Sequence, residues 1–376
     1  MTNYKPVHVG VVGAGAISDV YLKNMTSRYS LLQVDAICSR RMESARKKAE
    51  QYGIRACTLE EMLADPTIEM IVNLTPAHTH YSIIKQALLA GKHVYTEKVL
   101  TDDPKTAAEL VALADEKGLY LGSAPDTFMG AGLQLARQII DSGEIGEVTS
   151  FAIASNRDNN FLLSLFAFLR EPGGGLCYDY AVYYLTALVS LLGAVDETSA
   201  VVRAPYQTHV NMLPDHPDYG KVMRTPNESQ VYAIIRMESG VTGTLHINAD
   251  SVFFDQSFFA IYGTKGILYI QNTGGFTSSV NVLKNGYEWD NQPKPEVIES
   301  PFAFGTESRG IGVFDMALAI RSGRVPRASK ELAYHVMDVL SCFMESSEKK
   351  CFCKVESTCE RPTALTVPTD GEESSL

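Results

Sequence analysis

Short apolar runs alternate with amphipathic stretches from Val7 to about Thr127. The runs Val7 to Val12, Val34 to Ile37, Met70 to Leu74, His93 to Tyr95 and Leu119 to Leu121 read as strands. Between them Ile83, Ile84, Ala87 and Leu88 recur at helical spacing, as do Ala107, Leu110, Val111 and Ala114, so each crossover is a helix with one buried stripe. Repeated β-α units require a parallel sheet covered on both faces, which predicts a doubly wound N-terminal domain over residues 1–127.

From about Phe128 the texture changes. Val148 to Ala154, Ser199 to Val202, Val231 to Met237, Val241 to Ile247 and Gly266 to Ile270 are β-branched and aromatic, and turns such as Glu238-Ser239-Gly240 and Gly263-Thr264-Lys265-Gly266 separate them. Such punctuation suits hairpins, so residues 128–367 are expected to form an α+β domain on an open, mostly antiparallel sheet. Two helices belong with it, one after Gly173-Gly174-Gly175 and one carrying the stripe Leu332, Val336, Val339, Leu340 and Phe343. Residues 368–376 read as a polar, frayed tail.

Composition narrows the partners. Of 376 residues, 45% are hydrophobic and 20% charged, which excludes a disordered chain or a coiled coil. A net charge of −11 with no basic stripe argues against nucleic acid or an anionic membrane, leaving small molecules as expected partners. Met1 to Pro6 is polar and no stretch near 20 apolar residues follows, so a cytoplasmic protein is expected. Seven cysteines, an odd number, then read as reduced thiols. Cys351, Cys353 and Cys359 have no second Cys pair or nearby His at ligand spacing, so they read as surface or tail thiols and no metal is expected.

The first strand runs into Gly13-Ala14-Gly15-Ala16-Ile17-Ser18, a G-x-G-x-x-small turn opening a helix. Glycines there let the backbone approach a pyrophosphate, which the helix N-terminus stabilises. Gly13, Gly15, Ala16 and Ile17 are therefore candidate dinucleotide contacts. At the end of the second strand, where an NAD-selective domain offers Asp or Glu to the ribose, this chain has Ser39-Arg40-Arg41. A hydroxyl and two cations can accept a 2′-phosphate, so the reading is NAD(H) or NADP(H), leaning to NADP(H) through Ser39 and Arg40; Arg40 stacked on adenine would serve either.

The segments Asn73-Leu74-Thr75-Pro76-Ala77-His78-Thr79-His80 and Ala90-Gly91-Lys92-His93-Val94-Tyr95-Thr96-Glu97-Lys98, followed by Gly173-Gly174-Gly175-Leu176-Cys177-Tyr178-Asp179-Tyr180-Ala181-Val182-Tyr183, resemble the Gfo/Idh/MocA family of sugar and cyclitol oxidoreductases. The resemblance implies a Rossmann domain joined to an open sheet, dimers or tetramers formed through that sheet, and an active site between the domains. It implies that Glu97 orients the nicotinamide ribose, that Lys98 sits beside the reacting carbinol, and that Thr75, Pro76 and His80 line the nicotinamide half of the cofactor. Two positions depart from the family pattern: Val99 replaces the usual Pro, and Tyr183 replaces the usual His, a substitution similar to that in some sugar oxidoreductases of the family.

Oxidising a secondary alcohol with a nicotinamide requires a base within reach of the hydroxyl proton. Lys98 follows a parallel strand, at the end of the sheet where open α/β folds bind ligands. Asp179 and Tyr183, at i, i+4, share a helix face and are candidates to hold one substrate, with Tyr183 as a second donor or proton relay. A phenol of pKa about 10 is a poorer acid or base at neutral pH than imidazole. Tyr180 and Tyr184 read as buried aromatics. Asp126 is a candidate substrate contact or a cap for the helix that follows. Arg157 and Arg309 are further candidate contacts, and His209 and His216 lie in a loop that would serve as a lid or be solvated. Together these readings predict an NAD(P)-dependent enzyme acting on a ring hydroxyl of a sugar, glycoside or cyclitol, with oxidation to a 3-keto glycoside as one version. A glycosidase or lyase working by redox elimination, and a non-enzymatic nucleotide sensor, are the competing expectations.

Overall fold

A computed structural model of the chain describes residues 4–171, 173–252, 257–284, 286 and 293–366. The expected tail at 368–376 lies outside the described residues. The chain forms two compact units, Met1–Asp126 with Ser308–Met337 and Thr127–Glu307 with Asp338–Leu376.

The first unit runs β1 (Val7–Val12), α1 (Ile17–Ser27), β2 (Leu32–Cys38), α2 (Met42–Tyr52), β3 (Arg55–Ala56), α3 (Leu59–Ala64), β4 (Met70–Asn73), α4 (His80–Leu89), β5 (His93–Thr96), α5 (Pro104–Lys117) and β6 (Leu121–Ser123). Its strands form one parallel sheet in the order β3-β2-β1-β4-β5-β6, the doubly wound arrangement that the alternating pattern predicts. All four residues of β4 are buried, as a strand covered on both faces requires. Its one polar member, Asn73, donates from Nδ2 to Thr96 Oγ1 at 3.0 Å. Helix starts follow local chemistry: Thr58 and Glu61 form a capping box on α3, and Asp103 caps α5 ahead of Pro104.

The second unit contains α6 (Ala131–Asp141), β7 (Val148–Asn156), α7 (Asn159–Leu165), one π-helical turn (Cys177–Ala181) continuing into α8 (Val182–Leu192), and the strands β8 (Val195–Arg203), β9 (Thr208–Val210), β10 (Val222–Arg224), β11 (Gln230–Met237), β12 (Thr242–Asn248), β13 (Phe258–Gly263), β14 (Gly266–Ile270), β15 (Ser279–Lys284) and β16 (Glu296–Glu299). Helix α9 (Ile311–Ser322) follows, then α10 (Lys330–Lys349) and β17 (Cys353–Lys354). A nine-stranded sheet orders them β16-β15-β14-β13-β7-β12-β11-β8-β17, antiparallel except where β12 runs parallel to β7. Strands β9 and β10 pair by themselves. Alternation sorts the large sheet into two faces: Val231, Ala233 and Ile235 are buried, whereas Tyr232 and Ile234 between them are exposed.

Residues 128–367 do not fold as one piece, because Ser308–Met337 packs with the first unit. Arg321 donates to both carboxylate oxygens of Glu69 at 2.8 and 2.6 Å and to the backbone carbonyls of Lys5 and Pro6. The buried Asp315 accepts from Arg327 at 2.6 Å and is joined by Arg324. Tyr29 stacks on Phe314 at 5.0 Å, and Ser329 bridges to Gly122 in β6. These contacts give the late segment its partners among the early strands and helices, a placement that chain order alone does not convey. Among the described residues no helix is long and apolar enough to cross a membrane.

Candidate active site

The turn after β1 places Gly13 with φ 114° and its N–H on Cys38 O at 2.9 Å. A Cβ on Gly13 would lie 2.8 Å from the backbone carbon and oxygen of Leu74, so packing against the next strand's end demands glycine there. Gly15 differs: a Cβ built on it meets nothing within 4 Å. Helix α1 then starts at Ala16 with no side-chain cap, and Ser18 Oγ turns back to Gly15 O at 2.6 Å. An open glycine before an uncapped helix start is a cradle that fits a dinucleotide's pyrophosphate.

Next along the sheet edge are Ser39, half-buried, and Arg40 and Arg41, both exposed. Helix α2 starts directly after Arg41, again with no side-chain cap.

The ends of β4 and β5 are tied together by side chains. Thr75 Oγ1 bonds Asn73 Oδ1 and Thr79 Oγ1, each at 2.7 Å. His80 is 0% exposed, and its two ring nitrogens lie 2.7 Å from Val99 O and from Thr75 O. Burial pushes its pKa down, opposed by those carbonyls. His80 is therefore a strap joining the Thr75 loop to the backbone beside Lys98, a duty the expectation that it lines the nicotinamide did not include. Glu97 accepts from Tyr21 Oη at 2.7 Å through one oxygen and from the Lys98 N–H at 3.1 Å through the other. Both Glu97 and Lys98 remain half-exposed, whereas Pro76 is exposed.

Asp126 departs from the expected cap of the following helix. It is 1% exposed, and its Oδ2 accepts from the N–H groups of Gly310 at 2.9 Å and Gly312 at 3.1 Å. It thus caps α9 instead. Burial raises its pKa to about 6, against the pull of those two N–H groups and of nearby Arg309.

In the second unit Asp179 lies on the π-helical turn and Tyr183 in the first turn of α8, both half-exposed. A π turn where a regular α-helix was expected is a feature common at functional sites. The Arg157 guanidinium stacks on Tyr180, 4.0 Å from the ring centroid, and Tyr184 meets Tyr180 edge-on at 5.5 Å. Tyr184 is buried as expected, whereas Tyr180 is only half so. His209 is buried with Nε2 3.1 Å from Tyr206 O, and His216 Nδ1 lies 3.0 Å from the Asp218 N–H, so both organise the β9–β10 excursion itself. Cys353 departs from the tail reading: it is buried on β17 with its sulfur 2.9 Å from that of Cys342, while Cys351 is exposed.

A family model described as an oxidoreductase family with an NAD-binding Rossmann fold matches residues 7–124, and the model of the GFO/IDH/MocA C-terminal domain matches residues 133–269. The chain belongs to the Gfo/Idh/MocA family. Its relatives include a dTDP-3,4-didehydro-2,6-dideoxy-alpha-D-glucose 3-reductase of Actinomadura kijaniata, 34% identical over 54% of this chain and 61% of that protein. They also include the scyllo-inositol 2-dehydrogenase (NADP(+)) of Bacillus subtilis, 25% identical over 57% of this chain and 61% of that one. Two uncharacterised oxidoreductases of Schizosaccharomyces pombe are 30% and 31% identical, and the match spans only 56% of the length of each. A levoglucosan dehydrogenase solved with NADH superimposes with a TM-score of 0.80 over 94% of this chain and all of that one, at 19% identity, a likeness of fold.

Sequence reasoning about this Gfo/Idh/MocA chain missed Glu228. Its Oε1 accepts from the Cys177 N–H at 2.9 Å, at the head of the helix that bears Asp179 and Tyr183. A lone Glu in a loop far along the chain carries no periodic signal that could have found it.

Proposed function

We propose that the protein is an NAD(P)-dependent oxidoreductase moving hydride between a nicotinamide and a ring hydroxyl or keto group of a sugar, glycoside or cyclitol. The observation that carries the reading is Gly15, where an added Cβ would meet nothing within 4 Å, before a helix start that no side chain caps among the described residues. The relatives named for inositol and nucleotide-sugar substrates support the substrate class. Oxidation to a 3-keto glycoside is one version of the reaction.

The bound nicotinamide supplies the hydride acceptor or donor, and the chain's own residues do the rest. Gly13, Gly15, Ala16 and Ile17 hold the pyrophosphate, with Thr75, Pro76 and Glu97 towards the nicotinamide end. Lys98 takes or returns the hydroxyl proton. Its backbone is held from both sides, by the Glu97 carboxylate on its own N–H and by the His80 strap on the next carbonyl, which keeps the ammonium's stem in register. Asp179 accepts hydrogen bonds from the substrate, Tyr183 donates or relays, and Arg157, whose guanidinium lies over the Tyr180 ring, is a further contact. Ser39 and Arg40 favour NADP(H). A second copy of the chain covers the open sheet face at Val201, Tyr232, Ile234 and Phe258.

The test is to denature the protein as purified and identify any released dinucleotide by mass spectrometry, then to assay scyllo-inositol, D-xylose and levoglucosan with NAD+ and NADP+. Lys98→Met is expected to cut turnover by about 10²- to 10⁴-fold while nucleotide binding persists. Full activity in Lys98→Met, or no turnover and no nucleotide binding in the wild type, would overturn the reading.

A further inference from the structure

The Gly-rich entry to the helix bearing Asp179 and Tyr183 reads, at first sight, like a second nucleotide-type loop. Its geometry says otherwise. Gly173 has φ 79°, so the chain turns there in a conformation that suits glycine. A Cβ on Gly174 would lie 2.6 Å from Phe168 O and 2.7 Å from Leu169 Cα, so that residue is pressed against the backbone of the 3-10 turn Ala167–Arg170. A Cβ on Gly175 would lie 2.0 to 2.1 Å from the carboxyl atoms of Glu228. The space in front of this helix is filled by the protein's own carboxylate.

Residues 227 and 228 grip the segment at several points. Asn227 Nδ2 donates to Leu169 O at 2.8 Å and to Glu171 O at 2.7 Å, fixing the turn that leads into the glycines. Glu228 accepts the Leu176 N–H on its backbone oxygen at 3.3 Å and the Cys177 N–H on Oε1 at 2.9 Å. These are among the first N–H groups of the helix, which have no partner within it, and an anion there is also favoured by the helix dipole. Asp179 lies two residues beyond Cys177, so the anchored turn is the one that aims it.

We propose that Glu228, supported by Asn227, is a positioning residue for Asp179 and Tyr183: it fixes the start of their helix, and Gly175 is glycine to admit its carboxylate. The functional consequence rests on the reading of Asp179 and Tyr183 as substrate contacts; the anchoring itself does not.

Amide hydrogen exchange of the full-length protein, read by mass spectrometry, tests the anchoring without any substrate. In Glu228→Ala, exchange over residues 176–182 is expected to speed up at least tenfold while α10 keeps its wild-type rate. Glu228→Gln retains an acceptor oxygen and is expected to restore most of the protection. Gly175→Ala should reproduce the Glu228→Ala pattern, because the carboxylate is the movable end of a flexible side chain and gives way to the new methyl. The double variant should then be no worse than either single one. Unchanged exchange in Glu228→Ala, a rise spread evenly over the whole unit, or additive effects in the double variant would each overturn the proposal.

Kinetics separate it from the wider reading. With whichever of scyllo-inositol, D-xylose and levoglucosan is turned over, Glu228→Ala should raise KM at least fivefold with NADPH or NADH binding unchanged, and Glu228→Gln should rescue it. Unchanged KM alongside the exchange effect would overturn the link to substrate. If none of the three sugars is turned over and no nucleotide binds, the oxidoreductase reading is overturned while the exchange experiment still decides whether Glu228 anchors the helix.

Discussion

At the start of α9 the Asp126 carboxylate accepts from two N–H groups, and at the start of the helix bearing Asp179 the Glu228 carboxylate accepts from a third, whereas at the start of α1 no side chain among the described residues caps the helix. Glycines stand at all three places, and their surroundings sort them. Gly312 is explained by the Tyr95 hydroxyl, 2.2 Å from where its Cβ would be, and Gly175 by Glu228. Gly13, at the mouth of α1, is explained by the end of β4. Gly15 has no such neighbour. Helix starts that face the interior are neutralised from within, because a buried N–H left alone costs about 1–3 kcal/mol. The start of α1, which no side chain caps among the described residues, stands beside a glycine with open space around it, and that pairing is what the proposed pyrophosphate site rests on.

The largest effect that could break this contrast is at Gly13. Alanine there combines a positive φ, costing about 1–2 kcal/mol, with a backbone collision costing about 1–3 kcal/mol, so Gly13→Ala is expected to lose roughly 2–5 kcal/mol in urea unfolding. A variant as stable as the wild type would mean that the turn does not hold Gly13 against Leu74.

Asp126 tests the internally filled kind of helix start through pH. Its pKa is raised to about 6 from an ordinary 3.8, chiefly by burial, so folding favours the protonated acid. Its contribution to stability is complete below about pH 4 and is lost as pH rises through 6. Asp126→Asn keeps an acceptor for Gly310 and Gly312 without the charge. The variant should therefore gain on the wild type between pH 4 and 7 by up to about 3 kcal/mol, at 1.36 kcal/mol per pK unit. Unfolding free energies of the two proteins measured across that range check the sign, and a gap that shrinks as pH rises would refute it.

Gly15→Ala is the sharpest form of the comparison, since it predicts two different responses from one methyl. Stability should stay within about 0.5 kcal/mol of wild type, as for a substitution that touches nothing. NAD(P)H affinity, followed by nucleotide fluorescence, should fall at least about tenfold, or 1.4 kcal/mol. Equal affinity in both proteins would remove the argument that this glycine exists for a ligand.

The sequence made the first sheet legible because strands buried on both faces leave continuous apolar runs, as in Met70 to Val72, and the second because β-branched and aromatic runs such as Val231 to Met237 are separated by turns such as Glu238-Ser239-Gly240. Strands as short as β3 and β17, two residues each, are too brief for any period. What pattern could not convey was contact at long range. Asp126 reaches partners 184 and 186 residues away, and Glu228 reaches back 51 to Cys177, so neither cap has a local signature. The return of α9 to the first unit escaped for the same reason. The position of Glu97 and Lys98 directly after β5 was legible because the apolar run from His93 to Tyr95 ends just before them.

The smallest expected effect lies at the other end of the nucleotide, where a second bare helix start follows Arg41. Arg40 is exposed and not engaged in an ion pair among the described residues, so replacing it should cost the fold almost nothing. If Ser39 and Arg40 receive a 2′-phosphate, Arg40→Ala should weaken NADPH binding about three- to tenfold, or 0.6–1.4 kcal/mol, and leave NADH binding unchanged. Ser39→Asp should push preference further, because a carboxylate there repels the phosphate and accepts from the free ribose hydroxyls instead. Equal losses for NADPH and NADH in Arg40→Ala would show the guanidinium stacking on adenine, a contact that binds both nucleotides and selects neither. The bare start of α2 would then lie outside the contrast, and the pyrophosphate at Gly15 would be the only anion that this edge of the sheet is shaped to receive.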